Sequence, residues 1–331
     1  MTQFYKLTQM NRSKVNSMQD QIELDKLSQD SQIETGQYLS NRDLVSLSRA
    51  SKHHFALFKP LIAVRKLLHH VVCGEHDAVK AMLEKDMSLM FERGFVTDCS
   101  GREFKNISGF EYALWALDKY MWTAMIACIP QNEEGRKVFE QLIAQYNKVN
   151  TIGVTYRFNG KTTTENHFDF NNTIIKELQT QVDSINVQGN RDWVAINIQW
   201  IKGVGGAQKL LPMHVVDEYC SNEPFYLDEP PRFTSQPEPA KKSYDYINEE
   251  NKDWFRADSK LSISVAMYKG NFPYANPWDR APVGTMRHPL SDLNAMVALC
   301  EVRTADFIKL KSQLEEQLTK NHKSNTGYIR I

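Results

Sequence analysis

Apolar residues recur at helical spacing around two short breaks within residues 67–129. Leu67, Leu68, Val71 and Val72 precede Gly74, and Val79, Met82 and Leu83 follow it. Beyond a further break through Gly94 and residues 97–101, the arrangement repeats: Tyr112, Ala113, Leu114, Trp115, Ala116 and Leu117 precede Asp118-Lys119, and Met121, Trp122, Met125 and Ile126 follow. Each half reads as a pair of short helices joined by a tight turn. Neither half can bury its apolar face alone, so neighbouring segments must cover it. Upstream, residues 1–37 are mostly polar and read as a flexible segment, and order begins near Tyr38. Leu39, Leu44, Leu47 and Phe55 fall on apolar positions, with Ser40 or Asn41 as N-cap of a helix over 43–50. Pro60 is expected to end this segment. Downstream, Val138, Leu142, Ile143 and Tyr146 predict a helix over 133–149, and Val154, Tyr156 and Phe158 alternate up to Asn159-Gly160, the signal of a β-hairpin.

This hairpin places a soft boundary near residue 150. Ile174, Ile175, Leu178 and Val182 predict a helix, as do Trp193, Ile196 and Trp200 over 192–201. Prolines 224, 230, 231, 237 and 239 predict a loop, residues 261–268 a strand and 271–284 a second loop. A long helix over 290–318, with Leu293, Met296, Val297 and Cys300 on one face, closes the chain.

The two helix pairs, offset by roughly 40 residues, resemble divergent ankyrin repeats, whose period is about 33. The run Tyr38-Leu39, Arg42-Asp43-Leu44, Leu47, Ala50-Ser51-Lys52 and Phe55 resembles the latter two thirds of an F-box, the module that grips the adaptor of cullin-type ubiquitin ligases. That resemblance implies binding through Leu39, Asp43, Leu44, Leu47 and Phe55. An F-box opens on a Leu-Pro and an apolar helix, whereas residues 27–33 are mostly polar, so the alternative is a helical hairpin that caps the array. The expected fold is therefore mainly α: an N-terminal helical ankyrin-like array over 38–150, then an α+β domain with a hairpin over 151–331.

Forty basic residues balance forty acidic ones, which argues against a general nucleic-acid binder. Five widely spaced cysteines with no CxxC fit neither a disulfide scaffold nor a zinc site, and point to a reducing compartment. There is no apolar run long enough for a cleaved signal or a membrane span.

Candidate chemistry concentrates in GVGGAQKLLPMHVVDEYC, residues 203–220. Gly203, Gly205 and Gly206 would let a loop turn its N–H groups toward an anion. Pro212 suits a helix start, and the helix beyond it sets His214 and Glu218 one turn apart. The competing readings are a metal pair, a Cys220 nucleophile, a catalytic pair, or a helix stacked on the core through Val215 and Tyr219 with His214 bonded to Glu218. The HxxxE spacing resembles that of bacterial effector nucleotidyl transferases, in which His and Glu act with a separate serine. No cofactor is implied, because there is no P-loop lysine-serine pair and no acidic cluster for magnesium. The pairs His53-His54 and His69-His70 point about 100° apart on a helix, so each offers one ligand at most to a site.

Taken together, the F-box-like segment, the helix pairs and the 203–220 run resemble Legionella-type effectors of the Dot/Icm type IV secretion system. The resemblance implies secretion into the host cytoplasm, a role in virulence and a host protein as partner. The alternative it leaves open is an effector enzyme that transfers a nucleotide or related group through His214 and Glu218.

Overall fold

The computed structural model describes residues 24–221, 225–226, 231–237, 242–245, 250–253 and 287–323. Residues 1–23, the strand expected over 261–268 and the loop expected over 271–284 lie outside the described residues. Two compact units are present, Met1–Ile62 and Ala63–Ile331.

In the first unit, α1 spans Gln29–Tyr38 and α2 spans Asn41–Ser48, each capped by a serine hydroxyl. Ser28 Oγ accepts from the Ser31 amide and Ser40 Oγ from the Asp43 amide, satisfying donors that a helix start leaves orphaned. Gly36 is needed for close packing, since a Cβ there would stand 2.8 Å from the Phe58 ring. Leu44 and Phe58 are buried.

Helix α3 runs Lys52–Val72 with Pro60 inside it, so the proline does not end the segment as its sequence suggests. An internal proline costs about 3 kcal/mol through one lost hydrogen bond and a ring clash. Beyond it, however, Val64, Leu67, Leu68, Val71 and Val72 form a buried helical stripe whose burial outweighs that penalty.

The second unit carries both predicted helix pairs. The end of α3 turns at Gly74 into α4 (His76–Leu83), and α5 (Gly109–Trp115) turns at Leu117 into α6 (Lys119–Ile126). Helix α7 (Glu133–Thr151) follows. The break read between the pairs is a β-hairpin, β1 (Gly94–Thr97) and β2 (Glu103–Ile107). The second hairpin, β3 (Val154–Phe158) and β4 (Lys161–Glu165), forms as expected, with Asn159 and Gly160 both at positive φ. The two hairpins join into one antiparallel sheet, β1-β2-β3-β4, through the β2–β3 pair Glu103↔Arg157. Residue 150 thus falls inside the second unit, between strands of a single sheet.

The described residues of the C-terminal half are mainly helical: α8 (Lys176–Ile185), α9 (Trp193–Ile198), α10 (Gly205–Gln208), α11 (Met213–Cys220) and α12 (Arg287–Lys323). Ile196 and Trp200 are buried as predicted, but Trp193 is exposed, as is Val297 on α12. Tyr146 of α7 stacks on Phe307 of α12, with ring centroids 4.7 Å apart. Lys242 opens a two-stranded hairpin, β5 (Lys242–Asp245) with β6 (Glu250–Asp253). The described fold is mostly helical with a small four-stranded antiparallel sheet, and no helix among the described residues is long and apolar enough to cross a membrane.

Candidate functional site

Helix α11 is buried from Met213 through Tyr219, including the side chains of His214, Asp217 and Glu218. Pro212, with φ −59° and ψ 153°, occupies the N-cap just ahead of it. Charged groups are seldom enclosed unless paired, so their partners define the site. His214, 2 % exposed, makes its hydrogen bond at Nε2, 2.7 Å from the carbonyl of Ala116. Ala116 closes α5, where helix carbonyls lack intrahelical partners. Nε2 therefore carries the proton and donates, and Nδ1 has no hydrogen-bond partner among the described residues. The expected His214–Glu218 bond is not formed. Burial lowers the His214 pKa from 6.5 to about 4, against the opposing pull of nearby Asp118.

Glu218 faces a different residue. Its Oε1 lies 3.5 Å from Nη2 of Arg303, a guanidinium with no exposed surface. Arg303 Nη1 also approaches Asp306 Oδ2 at 3.2 Å and the Phe233 carbonyl at 3.3 Å, and the guanidinium lies 4.5 Å from the centre of the Tyr120 ring. Tyr120 donates to the Ser235 carbonyl at 2.5 Å, and Lys119 Nζ pairs with Asp306 Oδ1 at 3.1 Å. Burial raises the Tyr120 pKa, with Arg303 pulling the other way. This network ties α6, α11, α12 and the segment 231–237 together. Its centre, Arg303, escaped the sequence reading, although the signal was there: it interrupts the apolar series Met296, Leu299, Phe307, Leu310 and Leu314 at a position that should face inward.

The glycines do not form an anion-binding loop. Gly203 lies in a π-helical turn, Gln199–Val204, and Gly205 and Gly206 open α10; Gly205 has φ −61°, a helical value. The N–H groups expected to cradle a phosphate are thus oriented along helices. Gly203 is constrained by close approach instead, since a Cβ there would come within 2.6 Å of Glu177 Oε2. Among the described residues no three His, Cys, Asp or Glu side chains converge as metal ligands would. His53 is exposed and His54 buried, while His69 is exposed and His70 bonds Glu75 at 2.5 Å, as the 100° spacing requires.

The F-box-like residues divide between interior and surface. Leu44 is 1 % exposed and packs inward, so it holds the hairpin together rather than presenting a contact. Leu39 and Leu47 are half-buried. Asp43 is exposed and accepts from the hydroxyl of the N-cap residue Ser40 at 2.8 Å. Phe55 is 55 % exposed and Tyr38, a residue the site reading left out, 71 %.

A second buried cation was also not anticipated. Arg102 lies within 5.3–5.8 Å of the ring centres of Trp115, Tyr156, Phe158 and Phe168 and bonds the Leu210 carbonyl at 2.8 Å. Trp115 Nε1 and Tyr156 Oη both donate to Glu165 Oε1, each at 3.1 Å. Burial raises the Glu165 pKa despite these donors.

The family described as the CBUA0006 C-terminal domain matches residues 173–314, which include α11 and the Arg303 part of α12. An uncharacterized Coxiella burnetii protein, CBUA0006, is 33 % identical over 281 residues, covering 78 % of this chain and 78 % of its own length. No solved structure matches the chain.

Proposed function

From the premise that the chain belongs to the CBUA0006 family, we propose that it is a bacterial effector whose task is protein–protein interaction in a host cell. In this reading the chain is secreted by a type IV system of the Legionella kind into host cytoplasm. Its hairpin over 38–58 is the F-box-like element, docking the adaptor of a cullin-type ubiquitin ligase. The helix pairs around Gly74 and Leu117, with the β1–β2 hairpin between them, act as an ankyrin-like recognition body.

The observation that carries the proposal is the exposure of Tyr38 and Phe55, beside half-buried Leu39 and Leu47, on a hairpin whose own packing is supplied by Leu44 and Phe58. Large apolar side chains left in water at the ends of an otherwise folded hairpin are what an interface uses as anchors. The enzymatic alternative is disfavoured by the enclosure of His214 and Glu218. A base must reach a substrate proton within hydrogen-bond distance, and a histidine titrating near pH 4 with its one protonated nitrogen committed to a carbonyl is poorly placed to do so.

The test is retention of purified ligase adaptor by the immobilised full-length chain, compared with Phe55→Ser and with His214→Gln. The proposal expects retention by the wild type and by His214→Gln but loss with Phe55→Ser. No retention by the wild type would remove the adaptor from the account.

A further inference from the structure

Cys73 and Cys99 bring their sulfurs to 3.8 Å across 26 positions of sequence, and both are thiols. Backbone structure fixes each side of the pair. Cys73 closes α3 immediately before Gly74, in a turn held by the Gly74 amide on the Val71 carbonyl at 3.1 Å and the Glu75 amide on the His70 carbonyl at 2.9 Å. Cys99 lies in the β1–β2 turn, where Asp98 Oδ1 accepts from the amides of Ser100 and Arg102, both at 2.9 Å. Both cysteines are partly exposed. The ring nitrogens of His69, itself exposed, lie 3.9 Å from Cys73 Sγ, and Cys99 Sγ approaches the Val72 carbonyl at 3.6 Å.

We propose that Cys73 and Cys99 form a redox-active dithiol that a small disulfide oxidant, oxidised glutathione, closes into an intramolecular disulfide joining the α3–α4 turn to the β1–β2 turn. Cys73, beside an imidazole that can take its proton, is the attacking thiol. Its thiolate attacks one sulfur of oxidised glutathione, the glutathione S–S bond breaks, and one glutathione leaves as thiolate and is protonated. Cys99 then loses its proton and attacks the Cys73 sulfur of the mixed disulfide, expelling the second glutathione. Two protein thiols are oxidised to one disulfide, and one glutathione disulfide is reduced to two thiols. The sulfurs must close from 3.8 Å to about 2 Å. The new bond constrains the unfolded chain and so raises the melting temperature. A reducing glutathione pool keeps the pair open.

The experiment exposes the native full-length chain to excess oxidised glutathione, quenches with acid, and maps the products by digestion and mass spectrometry. The wild type should lose about 2 Da, yield a Cys73–Cys99 cross-linked peptide, and melt several degrees higher in a manner that dithiothreitol reverses. Cys99→Ser should trap glutathione on Cys73 as a stable mixed disulfide, and Cys73→Ser should form no intramolecular cross-link. Absence of the cross-link in the wild type, an equal rate of formation in urea, or adducts accumulating instead at Cys128, Cys220 or Cys300 would overturn the proposal.

Discussion

Gly74 and Leu117 hold the same position in two equivalent helix-to-helix turns. Each is the left-handed residue just past a helix end, with φ 69° and 57°. Around Gly74 the Glu75 amide reaches back to the His70 carbonyl at 2.9 Å, and around Leu117 the Asp118 amide reaches back to the Ala113 carbonyl at 2.9 Å. Both form the six-to-one bond of a Schellman cap, reinforced by Gly74 to Val71 and Leu117 to Leu114 at 3.1 Å. In each turn the following acidic residue, Glu75 or Asp118, stands at the N-cap of the next helix.

Substitution at the two positions should destabilise the fold for different reasons. At Gly74 an added Cβ meets only ordinary contacts at 3.5 Å, so Gly74→Ala carries the left-handed backbone cost alone, about 1–2 kcal/mol in urea unfolding. Leu117 has no exposed surface, so Leu117→Gly relieves that strain yet loses a buried side chain worth about 2–5 kcal/mol. The net effect is destabilising. A more stable Leu117→Gly protein would show that the leucine contributes nothing to packing.

Trp115 is fully buried, edge-on to Phe104 with centroids 5.0 Å apart. Trp115→Ala should destabilise the fold by about 3–5 kcal/mol. Trp115→Phe keeps much of the packing and loses chiefly the bond to Glu165, about 1–2 kcal/mol. A loss below about 1 kcal/mol for the alanine variant would be incompatible with this core.

Arg303 is enclosed with Glu218 and Asp306. Asp306 retains Lys119 at 3.1 Å, but Arg303→Met takes the guanidinium away from the enclosed Glu218 carboxylate, which should cost about 3–5 kcal/mol. Combining it with Glu218→Gln should recover part of that loss, and strict additivity in the double-mutant cycle would mean that the two side chains do not interact.

His214 gives the fold a pH dependence. Its folded pKa, about 4, lies below the ordinary 6.5, so the unfolded chain binds the extra proton first as pH falls. The stabilisation from neutral, buried His214 is complete above pH 6.5 and is lost as pH drops from 6.5 toward 4, amounting to an order of 3 kcal/mol. Asp98 and Glu165, whose pKa values burial raises, contribute with the opposite sign, favouring the fold at lower pH. The readout is therefore the difference between wild type and His214→Gln in urea midpoints at pH 7 and pH 5. Equal pH slopes would rule out the buried neutral imidazole.

The helix pairs, the Asn159-Gly160 turn and the long closing helix were legible because local rules dictate them: apolar spacing, turn chemistry and length. The β1–β2 hairpin was not, since its strands are four and five residues long and its turn is built by the Asp98 side chain rather than by a standard two-residue signal. The polar clusters were hidden for a different reason. Arg303 and Glu218 are brought together by tertiary structure, and spacing along one helix suggested His214 as the partner instead. The three glycines looked like a loop because glycine tolerates any backbone, and that tolerance says nothing about which conformation is adopted. Pro60 misled because burial further along α3 overrides a local penalty.

The most direct measurement of the central claim is amide hydrogen exchange of the full-length chain with and without the purified ligase adaptor. The account predicts slowed exchange confined to peptides within residues 38–58, with the α11 peptides over 213–220 unchanged because they are already buried. No change in 38–58 at saturating adaptor, or protection appearing at 213–220 instead, would contradict it.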